Sequence, residues 1–319
     1  MKQSAQYNSS RYIQDNFSNV HIIKSEKMVR PTGYSLPGYE AAATTISRNG
    51  FEATGFGEGI GQVANDKALS EAIERSVLME FACQQKIVET SNGWSCHRSA
   101  TLALENAIFE LIERDVALTA WQSGGPFMQL PEELWPTVLT AWKTRLNPRP
   151  EFFDLRILLS ETENGACISA LLFNDRGNFV AGHAAGTHLE SVIISATAEC
   201  LRSAHAAIRL EYFADVLSLH AGTTNEITKP GVHSLAYAYT FCIPNTVKII
   251  PTSSSQILEK WQRQNRIFHD LEMRDFEVTL FHVESHVVAR VKNKRYRQIF
   301  WGQDSNIFCF QNNSPHFVG

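Results

Sequence analysis

The chain has 319 residues, of which 44% are hydrophobic and 19% charged, and its formal net charge is -4. This composition supports a sizeable core, argues against disorder, and fits one large domain or two ordinary ones. The negative charge gives no reason to expect nucleic acid as a partner. No apolar run reaches about 18 residues, so no membrane span is predicted. Six cysteines without CxxC pairing, and a polar N-terminus, predict a reduced, cytoplasmic protein.

The first part of the chain is polar and ends in glycine-rich sequence. We interpret residues 1–36 as an arm or a loosely attached cap, and residues 40–54 carry a weak strand pattern. Glycines then alternate from Gly55 to Gly61 and lead into a helix predicted at about 64–85. Glycines before a helix allow either a tight turn or a phosphate cradle, because the first helical amides are unpaired. The sequence alone favours neither.

Two helices carry the same charge signature. Residues 71–75 read Glu-Ala-Ile-Glu-Arg, and residues 110–114, in a helix predicted at about 100–122, read Glu-Leu-Ile-Glu-Arg. Positions i, i+3 and i+4 share a helix face, so each copy presents two acids and one base together. Four carboxylates suit a hard cation, which takes oxygen ligands. The alternative is a solvated face with Glu71–Arg75 and Glu110–Arg114 pairs, worth about 0.3–0.5 kcal/mol each, and two copies beside a glycine run argue against it.

The remaining chain interleaves strands with long helices. Separators at 163–165 and 175–177 indicate hairpin turns, and Ser253 with Gln256 forms a capping box. The order predicts an α+β fold with mixed or antiparallel sheets, divided into an arm or cap at 1–45 and one domain at 46–319. The predicted elements are a short helix at 132–146, strands at 153–160, 166–173 and 178–183, a helix at 189–213, a helix at 254–269, and strands at 276–283 and 286–292.

Three further features invite a functional interpretation. Cys96-His97 lacks a second Cys/His pair at ligand spacing, so zinc is improbable. His233 fits a packed or capping histidine better than a base. The basic run at 290–297 fits an exposed strand and turn, or, as the alternative, a grip on an acidic peptide or on phosphates.

Five landmarks in order resemble the YcaO superfamily, the ATP-dependent enzymes that modify peptide backbones. The resemblance covers roughly residues 50–295 and implies an α+β fold that holds ATP and Mg²⁺ between helices. The landmarks are the glycine run with Ala-Leu-Ser-Glu71-Ala-Ile-Glu74-Arg75, the turn Thr90-Ser-Asn-Gly, the helix Glu110-Leu-Ile-Glu113-Arg114-Asp115 with Trp121, the helix Ala-Thr-Ala-Glu199, and the sequence Val-His233-Ser-Leu-Ala-Tyr.

By position, the resemblance implies roles for individual residues. The implied metal ligands are Glu71, Glu74, Glu110 and Glu113. The implied nucleotide-binding residues are Lys67, Glu71, Ser95, Arg98, Glu110, Glu199 and Arg202. The implied catalytic residues are Arg75, Arg114 and Arg290.

This chain departs from the family pattern at several positions. Lys67 stands where the family usually has serine, Arg98 where it often has asparagine, and Leu102 where it often has an acid. The glutamine expected after the glutamate of the third helix is replaced by Arg202 or Ser203. Lys67 and Arg98 would offer charge to phosphate, or they would weaken ATP binding. The end of the chain is similar to the proline-rich tail of azoline-forming members but lacks the repeated prolines.

The resemblance implies ATP- and Mg²⁺-dependent cyclodehydration of Cys, Ser or Thr to azolines in a ribosomally made precursor peptide. The alternatives are thioamide or amidine formation, and a non-catalytic peptide-binding partner with the same fold. The implied partners are the precursor peptide, a leader-peptide-binding protein resembling a ubiquitin-activating enzyme, a flavin dehydrogenase, and a second copy in a homodimer. Neither nucleic acid nor membrane is expected.

Overall fold

The computed structural model describes residues 13–15, 20–28, 35–87, 91–123, 125–144, 152–175, 179–209, 248–270 and 276–296. Helices and strands alternate along this part of the chain. The strands are β1 (Ile13–Asp15), β2 (His21–Met28), β3 (Tyr39–Arg48), β4 (Phe51–Ile60), β5 (Trp94–His97), β6 (Phe127–Gln129), β7 (Phe152–Thr162), β8 (Gly165–Asn174), β9 (Phe179–Ala184), β10 (Ile249–Pro251), β11 (Glu277–Val283) and β12 (His286–Lys292). The helices are α1 (Gln62–Gln85), α2 (Ala100–Ser123), α3 (Pro136–Lys143), α4 (Leu189–Arg209) and α5 (Ser254–Asp270).

The chain divides into two compact units. The first unit comprises Met1–Met28, Glu40–Leu111 and Arg266–Tyr296, and the second comprises Val29–Tyr39, Ile112–Asn265 and Arg297–Gly319. Helix α2 contributes its first half to one unit and its second half to the other. The boundary that the sequence suggested, between residues 45 and 46, lies within β3. In the described part of the chain, no helix is long and apolar enough to cross a membrane.

The first unit contains two sheets. One has the order β1-β11-β12-β5 and the other β2-β3-β4. Of the segment interpreted as an arm, β1 pairs with β11 in parallel and β2 pairs with β3 antiparallel. The turn between β3 and β4 is Asn49-Gly50, with positive φ at both residues, as a two-residue hairpin turn requires.

The core of the first unit lies between α1 and the strands. Trp94 is 1% exposed and its ring stacks on Phe281 with the centroids 5.6 Å apart. Ile73 and Val77 of α1 pack into the same cluster. Burying such a side chain contributes about 1.5–3 kcal/mol, so this cluster fixes α1 against its sheets. The strands predicted at 276–283 and 286–292 and the helix predicted at 64–85 are confirmed.

The glycine run is a strand, which corrects the expectation of a turn or phosphate cradle. Gly55, Gly57 and Gly59 all lie in β4. A Cβ at Gly57 would stand 2.0 Å from the carbonyl oxygen of Ala64 in α1. The glycines therefore let the strand backbone contact the helix backbone. Of the run, only Gly61 has a positive φ, 58°, where the chain turns from β4 into α1.

The second unit is built on one five-stranded sheet with the order β10-β6-β7-β8-β9. Strands β7, β8 and β9 are consecutive and antiparallel, as the predicted hairpin turns require. Strand β8 is buried along nearly its whole length, so both of its faces are covered. Helix α4 packs against β8 and β9 through Ala196, Cys200 and Leu201. The predicted strands and the helix at 189–213 are confirmed in outline, and α4 is described to Arg209.

Two smaller helices show how local sequence sets element ends. The helix predicted at 132–146 is in fact a 3-10 turn at Glu132–Leu134 followed by α3. Pro136 separates them, because proline suits the first position of a helix and keeps the preceding Trp135 out of the helical region, with φ at -139°. Helix α5 begins at the predicted capping box: Ser253 N–H donates to Gln256 Oε1 at 3.2 Å, and Gln256 N–H donates to Ser253 Oγ at 3.4 Å.

Candidate functional site

In the first unit, Glu71 and Arg75 of α1 bind the outer edge of β4. Glu71 Oε2 accepts the backbone N–H of Phe56 at 2.5 Å, and its Oε1 pairs with Arg75 at 2.7 Å. Arg75 also donates to the carbonyl oxygen of Thr54 at 2.6 Å. The Glu71–Arg75 pair of the solvated-face interpretation is therefore present, but it also ties the helix to the strand. One acid and one base of the first signature are held in fixed positions.

The second acid of α1 lies beside a buried thiol. Burial raises the pKa of the Cys96 thiol strongly, the neighbouring carboxylate of Glu74 raises it further, and a hydrogen bond with Ser70 opposes both. These interactions place Glu74 next to β5, the strand that also carries Ser95. Cys96 stays a neutral thiol and is unsuited to be a nucleophile or a metal ligand.

The second signature lies along α2. Glu110 is half-buried and belongs to the first unit, whereas Glu113 and Arg114 belong to the second and form an ion pair of 3.6 Å. The next acid, Asp115, has a structural partner, since its Oδ2 accepts from Asn164 Nδ2 at 2.9 Å in the β7–β8 turn. The charged residues of the second signature are thus half-buried, and the acid that follows them anchors a hairpin.

In the second unit, strands β8 and β9 bring further groups to Glu113 and Arg114. Burial raises the pKa of the Cys167 thiol well above its ordinary value, and the carboxylates of Glu113 and Glu199 raise it further. Burial also lowers the pKa of His183 to about 3, and the charge of Arg114 lowers it too. Helices α2 and α4 therefore place Glu113, Arg114 and Glu199 near the same pair of strands.

Glu199 of α4 repeats the arrangement of Glu71. Its Oε2 accepts the backbone N–H of His183 in β9 at 2.9 Å, and its Oε1 pairs with Arg202 at 3.3 Å. The side chain of His183 is held at Nδ1 by Ser169 Oγ at 2.9 Å. We refer to the strand amide, the helix glutamate and the following arginine as the edge station. It consists of Phe56, Glu71 and Arg75 in the first unit and of His183, Glu199 and Arg202 in the second. The family resemblance implies Glu199 and Arg202 as site residues, whereas no sequence signal points to Ser169 or His183.

The other predicted site residues occupy varied surroundings. Lys67 is exposed on α1, and Ser95 is half-buried on β5. Arg98 forms an ion pair with Asp66 at 3.4 Å. Arg290 is 6% exposed on β12, with its guanidinium 4.7 Å from the ring centroid of Phe81. His233, the C-terminal tail and the side chain of Trp121 lie outside the described residues.

The carboxylate of Glu71 has the chemistry for a magnesium ion that is bound together with a phosphate ligand. In the described ranges, no three His, Cys, Asp or Glu side chains converge closely enough to hold a metal ion by themselves. Mg²⁺ in nucleotide sites is commonly bound by one or two carboxylates plus waters and phosphates, so such a cage is not required. A carboxylate has about four lone-pair positions, and the Phe56 and Arg75 bonds of Glu71 use two of them. Glu71 therefore retains coordination capacity.

Comparison of the sequence with known families identifies the class of protein to which the chain belongs. The model of the family described as YcaO cyclodehydratase, ATP- and Mg²⁺-binding, matches residues 75–273. The match covers more than half of the chain, which therefore belongs to the YcaO family. ATP and Mg²⁺ are accordingly its cofactors. No curated protein matches in sequence.

Solved structures share the fold at low sequence identity. YcaO from Methanopyrus kandleri, bound with AMPPCP and Mg²⁺, is 13% identical, covers 85% of each chain and superposes with a TM-score of 0.53. A heterocyclase in complex with substrate and cofactor is 10% identical with a TM-score of 0.57, over 88% of this chain and 51% of that one. The Escherichia coli microcin synthetase McbBCD complex with pro-MccB17 bound is 11% identical with a TM-score of 0.51, over 85% of this chain and 88% of that one. The predicted α+β fold is confirmed.

Proposed function

We propose that the protein uses ATP and Mg²⁺ to activate backbone amides of a ribosomally made precursor peptide, and that it converts Cys, Ser or Thr residues to azolines. The observation on which the proposal rests is the presence of two edge stations in a chain that belongs to the YcaO family. Each copy fixes one glutamate by a strand amide and a neighbouring arginine. Fixed carboxylates beside arginines suit phosphate-bound Mg²⁺ and the charge of a transferred phosphoryl group.

The proposed reaction needs no nucleophile from the protein. The thiol or hydroxyl of the peptide residue loses its proton to solvent as it attacks the preceding carbonyl carbon, and the carbonyl oxygen takes the γ-phosphoryl group of ATP. Phosphate leaves as the carbon–oxygen bond breaks and the amide nitrogen loses its proton, which yields azoline, ADP and phosphate. The task of the protein is alignment and charge neutralisation. This agrees with the neutral, buried state of Cys96 and Cys167.

We assign the residues of the chain as follows. Glu71, Glu74, Glu110 and Glu113 would hold Mg²⁺, which when bound neutralises phosphate charge. Arg75 and Arg114, each directly after a signature acid, would stabilise the transferred phosphoryl group. Lys67, Ser95, Arg98, Glu199 and Arg202 would contact or orient the nucleotide. The surroundings of Arg290 favour a packing role over contact with phosphate, because its guanidinium lies over the rings of Phe81 and Trp94.

The test is ATP hydrolysis with precursor peptide and partner protein present. We expect Glu71→Gln and Glu110→Gln to lower the rate by about 100-fold, since each removes a charge that the reaction requires. Glu105→Gln, on α2 outside the signature, is the matched control and should stay within about twofold of wild type. Turnover that is insensitive to both signature changes would refute the metal assignment.

Mass spectrometry of the peptide identifies the product. Azoline formation removes water and maps to a Cys, Ser or Thr residue. Thioamide formation replaces oxygen with sulfur, and amidine formation maps the loss of water to an amine. The solved microcin synthetase is a McbBCD complex with pro-MccB17 bound, and this supports assembly with a peptide and with partner proteins. As the partners we propose a leader-peptide-binding protein that resembles a ubiquitin-activating enzyme and a flavin dehydrogenase that oxidises the ring. Analytical ultracentrifugation of the purified chain tests the proposed homodimer.

A second candidate function is a non-catalytic peptide-binding partner. The ion pair between Arg98 and Asp66 favours it, because a guanidinium that is already paired at 3.4 Å is less available to phosphate. This candidate predicts tight binding of the precursor peptide without ATP hydrolysis in the complete complex. Asp66→Asn removes the ion pair and so distinguishes the enzyme from the peptide-binding partner. Stronger nucleotide binding by this variant indicates that Arg98 binds the nucleotide.

A further inference from the structure

A glycine precedes the amide of each edge station, and both glycines meet the helix in the same way. A Cβ at Gly55 of β4 would stand 2.2 Å from the carbonyl oxygen of Ala68 and 2.3 Å from the nitrogen of Ala72. A Cβ at Gly182 of β9 would stand 2.3 Å from the carbonyl oxygen of Ala196 and 2.2 Å from the nitrogen of Cys200. The two contacts agree to within 0.1 Å.

The register against the glutamate is also the same in both units. Glu71 follows Ala68 by three positions and precedes Ala72, and Glu199 has the same place relative to Ala196 and Cys200. The residue after each glycine, Phe56 or His183, donates its backbone N–H to that glutamate. Thus each glycine lies against the helical turn from which the glutamate projects.

We propose that Gly55 and Gly182 are positioning residues for the binding of ATP with Mg²⁺. The inference rests on the proposed function. By omitting a Cβ, each glycine lets the strand backbone approach the helix closely enough for the next amide to fix one glutamate oxygen. The second oxygen and the remaining lone pairs are then presented in a defined direction.

The short distances leave no room for a side chain at either glycine. The atoms that a Cβ would meet belong to the helix backbone, so a rotamer change cannot relieve the overlap. Ordinary van der Waals contact begins at 3.4 Å, so alanine at Gly55 must push strand and helix apart by about 1 Å. A shift of this size lengthens the bond between Phe56 and Glu71 from 2.5 Å to about 3.5 Å, where a hydrogen bond is weak.

Magnesium is sensitive to such a shift. It requires near-octahedral geometry with oxygen ligands at about 2.0–2.1 Å. A misplacement of about 1 Å can cost about 100-fold in function. We therefore expect loss of the glycine to weaken Mg²⁺-dependent binding even when the unit remains folded.

The same strand supplies a matched control. Gly59 also faces α1, but its nearest contacts are side-chain atoms of Val63, at 2.6 and 2.9 Å. Val63 is 47% exposed, so its Cγ1 can rotate away, and its Cβ, fixed to the helix, requires a shift of only about 0.5 Å to reach ordinary contact at 3.4 Å. Gly59→Ala adds the same methyl group to the same strand, but its smaller overlap falls on the first turn of α1, about two turns before Glu71.

The experiment measures the Mg²⁺ concentration for half-maximal ATP binding by titration calorimetry, beside urea unfolding and hydrogen exchange at the Phe56 amide. We expect Gly55→Ala and Gly182→Ala to raise the half-saturating concentration by tenfold or more, and Gly55→Ala to speed exchange at Phe56. Gly59→Ala should stay within twofold of wild type. Should Gly55→Ala fail to fold, Phe56→Pro removes the same donor, because proline is tolerated on an edge strand where the N–H faces outward.

The outcomes separate this inference from the function on which it rests. An unchanged half-saturating concentration in Gly55→Ala or Phe56→Pro, with the expected weakening in Glu71→Gln, overturns the role of the glycine alone. Identical Mg²⁺ dependence in wild type and Glu71→Gln refutes the metal assignment itself. A loss of stability without any change in half-saturation would show that the glycine serves packing only, and this also overturns the inference.

Discussion

Arg48 and Glu80 form an ion pair of 2.6 Å inside the first unit, with 1% of Arg48 and 8% of Glu80 exposed. Asn49 and Gln84 donate to the other carboxylate oxygen at 2.9 and 3.1 Å. Removing one partner leaves a buried charge without compensation, so we expect Glu80→Ala to lower the free energy of unfolding by about 3–5 kcal/mol. Urea denaturation measures this. The double variant Arg48→Met/Glu80→Leu should cost less than Glu80→Ala, and an equal or larger cost would contradict the explanation.

His183 gives the protein a defined pH dependence. Its pKa is lowered from 6.5 to about 3, so between these values the unfolded chain binds a proton that the folded chain does not. The stability is therefore fully present above pH 6.5 and falls as the pH decreases through this window. Between about pH 7.5 and about pH 5 we expect a loss of about 2 kcal/mol from this residue. In His183→Asn, which cannot titrate, urea denaturation should show a decrease in the free energy of unfolding over this pH range that is smaller than in wild type by that amount. A decrease equal to that of wild type would show that another group is responsible.

The described cysteines should differ sharply in reactivity. Cys96, Cys167 and Cys200 are buried with raised thiol pKa values, whereas Cys83 is exposed on α1. In a chain carrying Cys242→Ser and Cys309→Ser, iodoacetamide at about pH 8 should modify Cys83 alone, since thiolate and access are both required. Peptide mass spectrometry locates the label. Rapid native-state labelling of Cys96 would show that β5 opens or that its thiol is not neutral.

Arg290 should act through packing. Its guanidinium lies 4.7 Å from the Phe81 ring centroid and 5.9 Å from that of Trp94. Lysine cannot reproduce the planar stacking, so Arg290→Lys should lower the free energy of unfolding by about 1–2 kcal/mol. The Mg²⁺ dependence of ATP binding should stay unchanged. Lys292→Arg, on the same strand, is the control. If Arg290→Lys loses turnover but keeps its full stability, Arg290 takes part in catalysis and the packing role is refuted.

Much of the fold could be predicted because its patterns are local. The capping box at Ser253 and the helix at 254–269 rest on neighbouring residues, and the structure confirms them. The prediction of a turn or phosphate cradle at the glycine run was wrong, because alternate glycines hide the apolar pattern of a strand. The dipeptide Asn49-Gly50, a strong hairpin signal, could have revealed β3 and β4.

The residues of the candidate site could be predicted from the sequence only in part, for a different reason. Charge spacing identified Glu71 and Arg75, since helix geometry places residues three or four apart together, whereas the family resemblance implied Glu199 and Arg202. The contacts of Glu199 with His183 and of His183 with Ser169 join separate elements, and no spacing rule in one sequence predicts them. The role of Gly182 becomes visible only when the helix backbone lies beside it.

The edge station also affects self-association. Strands β4 and β9 are the outermost strands of their sheets in the described chain, and an open strand edge can pair with another molecule. At Phe56 and His183 that edge is occupied by glutamate carboxylates. Phe56 is half-buried, so a variant that removes Glu71 opens its backbone donor to neighbouring chains, whereas His183 is 4% exposed and is shielded from them. Aggregation can therefore contribute to the loss of activity of a Glu71 variant in a concentrated sample, and light scattering should be measured alongside each of its assays.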